Sequence, residues 1–293
     1  MSAVPAPRAL LELLKPVTWF PPMWAYACGV VSAGVAFGER WVLIVVGVLL
    51  AGPLVCGTSQ IVNDWYDRHV DAINEPNRPI PSGRVPGTWG FWYAVVWTLL
   101  SLAVATVLGI WGFLAAALGL LLAWAYSAPP TRLKKNGWYG NSAVAICYEG
   151  VPWFTGVVVM VGVFPDWRIV AVAVLYSIGA HGIMTLNDFK SIEGDKRMGL
   201  GSLPVQLGVD RAAHLACWVM ALPQVVVIGL LLGWGAPGYA LAVTAVLLAQ
   251  VALMTRLVQK PKELAPWYNG TGITLYVSGM MVTAFALRGM ELM

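Results

Sequence analysis

The fold is decided by residues 41–62, which read WVLIVVGVLLAGPLVCGTSQIV and contain no charged side chain. An α-helix needs about 20 apolar residues to cross a bilayer, so this stretch is long enough to span a membrane. Backbone polar groups cannot stay unpaired in hydrocarbon, so such stretches are predicted to be α-helical. The whole sequence contains nine apolar stretches of this kind, at approximately 16–38, 41–62, 88–108, 110–130, 141–163, 168–187, 212–233, 236–256 and 269–288.

The composition supports the same interpretation. Hydrophobic residues make up 59% of the 293 residues and charged residues only 11%, against roughly 45–50% and 25% in ordinary globular chains. A net charge of +4 is too small and dispersed to indicate a nucleic-acid-binding protein. We therefore expect an all-α, polytopic membrane protein with nine transmembrane helices around a central cavity.

The positive charges predict the orientation. Fifteen of the 18 Lys and Arg residues lie before the first span, in four long connections, or, for Arg256, at the end of the span that leads into the last of these connections. Only Arg40, Arg168 and Arg288 fall on the other side. The long connections are residues 63–87, 131–140, 188–211 and 257–268. Because Lys and Arg accumulate on the cytoplasmic side, the N-terminus is predicted to be cytoplasmic and the C-terminus to lie outside.

Half of the 14 acidic residues fall in two short windows, each placed where a predicted span meets the cytoplasm. We call residues 63–75 the first acidic window and residues 187–195 the second. Both begin with Asn-Asp, at Asn63 and Asn187. Their acids are Asp64, Asp67, Asp71 and Glu75 in the first window, and Asp188, Glu193 and Asp195 in the second. If each helix continues past the membrane surface, helical periodicity gathers most of these carboxylates on one face.

Two interpretations of the windows are open. The acids are either a solvated juxtamembrane face, paired with Arg68, Arg78 and Arg84, or ligands for hard divalent cations, which prefer oxygen donors. Their shared Asn-Asp start favours metal ligation. Two such windows facing each other across a cavity would hold two or three Mg²⁺ ions and, through them, a diphosphate.

Basic residues near the windows fit a phosphate ligand. Arg78 precedes the rigid segment Pro79–Gly83, and Arg132 and Lys134 follow Pro129-Pro130. Arg and Lys side chains both bind phosphate oxygens. Any cytoplasmic loop collects such residues, so this ordinary explanation stands beside the functional one.

The motifs resemble those of a known family. NDWYDRHVD at residues 63–71 is similar to the NDxxDxxxD motif of the UbiA-type intramembrane prenyltransferases, and NDFKSIEGD at residues 187–195 resembles their second acidic motif. Many relatives carry Asp where this chain has Ser191. The longer segments AINEPNRPIPSG (72–83) and GSLPV (201–205) resemble the chlorophyll and bacteriochlorophyll synthase branch of that family.

The resemblance implies a reaction and a site. The enzyme is expected to esterify the propionate of bacteriochlorophyllide a with geranylgeranyl or phytyl diphosphate, releasing diphosphate, with Mg²⁺ as cofactor. The expected catalytic and metal-binding residues are Asp64, Asp67, Asp71, Asp188 and Asp195. The expected diphosphate-binding residues are Asn63, Arg78, Arg132, Lys134, Asn187 and Lys190.

Other functions remain open at this stage. The acceptor could instead be chlorophyllide, a quinone precursor or a haem, and a secondary transporter would also place charges near a cavity. His181, inside the sixth predicted span, either helps to hold the macrocycle or is a hydrogen-bonded core residue, and the second is favoured.

The remaining expectations concern organisation and location. Residues 1–293 are expected to form one transmembrane prenyltransferase domain with a weak internal repeat of the two windows. It is expected in the cell inner membrane or a photosynthetic intracytoplasmic membrane, as a multi-pass protein with its active site toward the cytoplasm. Pigment-assembly proteins are expected as further partners, and nucleic acid is not.

Overall fold

The computed structural model describes residues 4–290, and the named elements of that range are all helical. The all-α prediction is therefore confirmed. The α-helices are α1 (Pro7–Leu13), α2 (Phe20–Ser32), α3 (Trp41–Leu49), α4 (Gly57–Asn74), α5 (Trp89–Ala105), α6 (Gly109–Ser127), α7 (Gly137–Ala145), α8 (Val151–Val161), α9 (Trp167–Asn187), α10 (Ile192–Arg197), α11 (Leu203–Leu207), α12 (Val209–Gly233), α13 (Pro237–Leu257) and α14 (Pro261–Arg288).

Within residues 4–290, seven helical runs are long and apolar enough to cross a membrane. Two of the nine predicted stretches, 88–108 and 110–130, fall together in one run, Trp89–Ser127. Gly109 divides that run, because its φ of +74° lies in the left-handed region that ends one helix before the next begins. The predicted stretch 16–38 contains only α2, which has 13 residues, fewer than the spanning length of about 20.

The outer surface of the bundle is apolar. Several large hydrophobic side chains are more than 60% exposed, among them Trp41, Leu99, Leu121, Leu241 and Leu248. A soluble monomer rarely exposes so much contiguous apolar surface. Together with the seven runs, this surface defines a multi-pass membrane protein.

Close helix packing fixes the relative positions of α2 and α8. Gly29 and Gly156 face each other, and a Cβ built on Gly29 would lie 2.1 Å from the carbonyl oxygen of Trp153. Small residues allow this approach where helices associate in a membrane. Trp153 is fully buried and stacks on Tyr176, with ring centroids 5.7 Å apart.

Two π-helical segments interrupt the long runs, at Leu50–Cys56 and Ile146–Gly150. The first contains Pro53, which cannot donate a backbone hydrogen bond, so the regular α-helical ladder is broken there. Such segments occur often at functional sites. Both line internal cavities here, through residues such as Cys56 and Tyr148.

Two sequence expectations about helix ends need correction. The predicted connection 257–268 is largely helical, because α14 already begins at Pro261. The second acidic window is not a continuation of its helix, because α9 ends at Asn187 and a short 3₁₀ turn separates it from α10. The Ser191 hydroxyl donates to the Asp188 carbonyl oxygen, a side-chain bond that competes with helix continuation.

Candidate active site

Three acids of the first acidic window, Asp64, Asp67 and Asp71, lie on one continuous helix, as the sequence predicted, but α4 ends at Asn74 and Glu75 follows it in a non-helical conformation. Asp64 and Asp71 are two turns apart on α4 and are only 1% and 7% exposed. Both accept hydrogen bonds from Arg78, at 3.2 Å and 2.9 Å. Lys15 donates to Asp64 at 2.7 Å. Each of these buried carboxylates is therefore held by a cation.

Arg78 is the shared cation of this window. Burial works against its charge, but its hydrogen bond to Glu75 and the charges of Asp64 and Asp71 outweigh burial and raise the pKa of Arg78. The backbone after Arg78 turns tightly, with Val85 N–H donating to the Pro79 carbonyl oxygen at 2.9 Å. This turn aims the guanidinium back at α4.

Asp67 is held from the loop between α6 and α7. Lys134 contacts both of its carboxylate oxygens, and Arg132 lies 3.4 Å away. Asn63 donates to Asp67 at 3.0 Å. Burial lowers the pKa of Lys134, and the charge of Asp67 opposes that shift only in part. Arg132 adopts a left-handed backbone conformation, with φ of +37°, which is uncommon outside glycine and turns the loop sharply.

The second acidic window has a different set of partners. Asp188 accepts a hydrogen bond from Asn141 of α7 at 3.1 Å. Asp195 accepts one from Ser191 at 3.0 Å, and Asn187 accepts one from Asn269 at 2.8 Å. In the part of the chain that the structure describes, neither Asp188 nor Asp195 forms an ion pair.

A single cavity of about 320 Å³ brings the two windows together; we call it the first cavity. Its wall contains Asn63 from the first window and Asn187, Asp188 and Lys190 from the second. The other predicted site residues lie outside this wall, on the ion pairs and turns described above. Electrostatics also links the windows: an Arg78 hydrogen bond, with the charges of Arg78, Lys15 and Lys190, outweighs desolvation and lowers the pKa of Glu75.

The rest of the first cavity is mostly aromatic and apolar, with Ser59, Gln60, Asn141 and Thr155 as further polar residues. Tyr26, Tyr126 and Tyr148 line it together with small aliphatic residues of α6 and α8. Tyr148 accepts a hydrogen bond from Gln60 at 3.1 Å. The cavity therefore has one end lined by amide and carboxylate groups and an interior suited to a hydrocarbon chain.

Some pairings suggested by the sequence are absent. Arg68 lies over the ring of Trp65, 4.1 Å from its centroid, and Arg84 pairs with Glu12. Neither therefore neutralises the first window in the described structure. Conversely, sequence reasoning missed Lys15 and Asn141. Asn141 carried a usable signal, because an amide within a predicted span usually faces a cavity or a partner.

The described residues do not contain a ready-made group of three or more His, Cys, Asp or Glu side chains that could hold a metal. The acids of the first window are bound to Lys and Arg instead. Their chemistry nevertheless fits a hard cation: Asp64 Oδ2 is buried without a hydrogen-bond partner, and carboxylate oxygens are preferred ligands of Mg²⁺. The residues present are thus compatible with Mg²⁺ once their cationic partners are displaced.

The helical fold and the paired Asn-Asp motifs define an intramembrane prenyltransferase. Residues 16–273 match the UbiA prenyltransferase family, and the chain belongs to that family. A transporter function is therefore not needed to explain the charged cavity.

Two relatives show which members of the family this chain is similar to. The chain is 60% identical to the bacteriochlorophyll synthase 33 kDa chain of Cereibacter sphaeroides, over 99% of this chain and 96% of the other. It is 39% identical to the chloroplastic chlorophyll synthase of Arabidopsis thaliana, over 94% of this chain and 73% of that one. The resemblance drawn from the motifs is confirmed.

A solved structure shares the fold. The structure of a UbiA homolog from Archaeoglobus fulgidus bound to GPP and Mg²⁺ superposes with a TM-score of 0.72. The two chains are 21% identical, and the alignment covers 92% of this chain and 99% of the other.

Proposed function

We propose that this enzyme transfers a prenyl group, geranylgeranyl or phytyl, from its diphosphate to the propionate of bacteriochlorophyllide a. The observation that carries the proposal is that one cavity with a mostly apolar interior is lined by Asn63 of the first window and by Asn187 and Asp188 of the second. The acceptor follows from relatedness, since identity is 60% to a bacteriochlorophyll synthase chain and 39% to a chlorophyll synthase.

Basic residues in and near the two windows would bind the diphosphate of the donor. Arg78, Arg132 and Lys134 would turn from the carboxylates toward phosphate oxygens when the donor binds, since Arg and Lys donate strongly to phosphate. Lys190, in the wall of the first cavity, would also donate to phosphate oxygens. The ion pairs to Asp64, Asp67 and Asp71 keep these cations aimed at the site.

The five aspartates are proposed as the metal ligands. Asp64, Asp67, Asp71, Asp188 and Asp195 would hold Mg²⁺, which supplies positive charge that stabilises the departing diphosphate. Asn63 and Asn187 contribute amide groups beside them.

The proposed reaction needs no general base. The C1–O bond of the allylic diphosphate breaks, its electron pair leaves with the diphosphate, and a propionate oxygen of the acceptor bonds to C1. A propionate is already ionised near neutral pH, as a Glu side chain with a pKa of about 4.3 is. The walls of the first cavity exclude water, and the faces of Tyr126 and Tyr148 stabilise positive charge on the allylic carbon.

The membrane arrangement is part of the proposal. Counting Trp89–Ser127 as two crossings and the segment around α2 as one gives nine crossings for a single domain of residues 1–293. The Lys and Arg distribution then supports a cytoplasmic N-terminus and active site, in the inner or intracytoplasmic photosynthetic membrane, with release of product to pigment-assembly proteins. A cysteine placed at Pro76 should react with a membrane-impermeant reagent only from the cytoplasmic side.

A competition assay tests the function. Purified protein with Mg²⁺ and geranylgeranyl diphosphate is given bacteriochlorophyllide a, chlorophyllide a and a quinone precursor, and the products are separated by chromatography. We expect the bacteriochlorophyllide ester to dominate, with one diphosphate released per ester. Prenylation of the quinone precursor without a pigment ester would overturn the proposal.

A further inference from the structure

A second, larger cavity of about 800 Å³ lies beside the first, among α6, α7, α8 and α9. Its wall is mostly apolar; apart from its tryptophans, the polar side chains in it are Ser142, Ser177 and His181. Residues at its rim, such as Ile178 and Leu118, are 49% and 45% exposed on the outer surface of the bundle. The second cavity therefore opens sideways, toward the acyl chains of the bilayer.

His181 is the chemically distinctive residue of this cavity. Its side chain is buried, with the residue 8% exposed. Nδ1 lies 3.2 Å from the Ser142 hydroxyl oxygen, while Nε2 is buried and has no hydrogen-bond partner within residues 4–290. Leaving a polar atom unpaired in an apolar wall is costly. The Nε2 atom therefore offers a polar contact to a ligand that enters the second cavity.

The geometry around His181 suits a flat aromatic ligand. The indole of Trp138 stacks on the imidazole, with centroids 5.8 Å apart and planes at 29°. Trp138 is itself 42% exposed, so its ring has room to move when a ligand enters. An aromatic ring system entering from the bilayer would then find an aromatic face and a nitrogen lone pair together.

The second cavity is also positioned to serve the first. Ala115 and Val151 belong to the walls of both. On α7, Asn141 faces the first cavity and the next residue, Ser142, faces the second. His181 precedes Asp188 by seven residues, a rise of about 10 Å along α9. A macrocycle beside His181 can therefore extend a side arm toward the acidic end of the first cavity.

We propose that the second cavity binds the tetrapyrrole acceptor and that His181 Nε2 is the axial ligand of its central Mg²⁺. This inference rests on the proposed function, and its new content is the location and anchoring of the acceptor. A neutral imidazole uses its lone pair for a metal, and its other nitrogen usually donates to a neighbour that fixes the tautomer. Ser142 is that neighbour, accepting from Nδ1–H.

The wild-type enzyme provides the first test. Bacteriochlorophyllide a and its magnesium-free form differ only in the central metal, so binding of each is measured by fluorescence quenching in the absence of prenyl diphosphate. We expect the magnesium pigment to bind about tenfold more tightly, the effect of one strong polar contact in a buried site. Its Qx absorption band should report axial coordination by the protein. Equal binding of the two pigments would overturn the proposal.

The variant His181→Ala provides the second test, with His214→Ala as the matched control. His214 is exposed on α12, and its Nδ1 is bonded to the Asp210 carbonyl oxygen. In His181→Ala, KM for the magnesium pigment should rise about tenfold. KM for geranylgeranyl diphosphate and the affinity for the magnesium-free pigment should not change. Added imidazole should restore the coordinated Qx band. His214→Ala should behave as wild type.

The outcomes separate this inference from the proposed function. If the wild-type enzyme makes no pigment ester, the proposed function fails. If it makes the ester but His181→Ala weakens both pigments equally, or neither, the axial ligand assignment alone fails. If the variant does not fold in detergent, the wild-type comparison of the two pigments still decides the question.

Discussion

The two acidic windows begin with the same two residues but differ in charge balance. In the first window, Lys15, Arg78, Arg132 and Lys134 contact the aspartates of α4. In the second, Asp188 has an amide partner, and no Lys or Arg of the described residues forms an ion pair with it. The aspartates of the first window are therefore paired with cations, whereas in the second window Asp188 and Asp195 form no ion pair within the described residues and only Glu193 contacts a cation, Lys262.

The difference in ion pairing predicts different roles for the two windows in binding Mg²⁺ and diphosphate. A carboxylate without a cationic partner attracts a divalent ion most strongly, so Asp188 is the expected first contact for Mg²⁺. The first window must exchange its Lys and Arg for metal, and the released cations are then free to bind phosphate. Similar motifs thus serve two steps of one binding process.

The largest expected effect is on Asp188. Asp188→Asn keeps the shape of the side chain and its contact with Asn141, but removes the charge that attracts the metal. We expect kcat to fall by about 10³ or more, because electrostatic stabilisation of the leaving group is lost. The exposed Asp210 gives the control Asp210→Asn, which should turn over normally. Normal turnover of Asp188→Asn with Mg²⁺ present would contradict the metal assignment.

The next effect concerns stability of the first window. Arg78→Ala leaves Asp64 and Asp71 buried without their shared cation, so the free energy of unfolding should drop by about 3 kcal/mol. Thermal unfolding in detergent measures this, and added Mg²⁺ should restore part of the loss. Arg68→Ala is the control, because Arg68 contacts the Trp65 ring and no acid of the window. Equal unfolding temperatures for both variants would contradict the role of Arg78 as the shared cation of the first window.

Lys134 gives the first window a pH dependence on the alkaline side. Its pKa is lowered chiefly by burial, so it loses its proton below the ordinary Lys value of about 10.4. As the pH rises, activity should therefore begin to fall before the ordinary Lys pKa is reached. In Lys134→Arg the alkaline limb should move to higher pH, because Arg stays protonated. A pH–rate profile identical to wild type would show that Lys134 takes no part in donor binding.

The smallest effect belongs to Ser191, where many family members carry Asp. Ser191→Ala removes the hydroxyl that contacts both Asp195 and the Asp188 carbonyl oxygen, and we expect a loss of about fivefold in kcat/KM, near 1 kcal/mol. Ser278→Ala is the control, since Ser278 bonds only to its own helix at Thr274. A loss of several hundredfold would mean that Ser191 contacts metal or substrate directly.

Much of the first window could be predicted from sequence because its order is helical. The helical repeat of 3.6 residues places Asp64 and Asp71, two turns apart, on one face of α4. In the structure both accept hydrogen bonds from the guanidinium of Arg78. The apolar stretches gave most helix positions for a similar reason, since length and hydropathy decide membrane insertion. The shortness of α2 and the turn at Gly109 depend on local packing and backbone conformation, which hydropathy does not contain.

The second window was harder to predict. Its spacing suggested a continuous helix, but the Ser191 hydroxyl bonds to the Asp188 carbonyl oxygen and the helix ends before it. Lys15 and Asn141 were missed because their partners are 49 and 47 residues away. Such long-range pairs follow from tertiary packing and leave no periodic signal in one sequence.

The most direct measurement is a double-mutant cycle on donor binding. Binding of a non-reactive geranylgeranyl thiolodiphosphate, with and without Mg²⁺, is measured calorimetrically for wild type, Asp64→Asn, Asp188→Asn and the double variant. If both windows hold one metal–diphosphate unit, each single variant should lose most of the Mg²⁺-dependent affinity and the double variant little more. If the losses of affinity in the two single variants multiply in the double variant, the two windows act independently and the shared site is contradicted. Wild-type affinity in either single variant would contradict it as well.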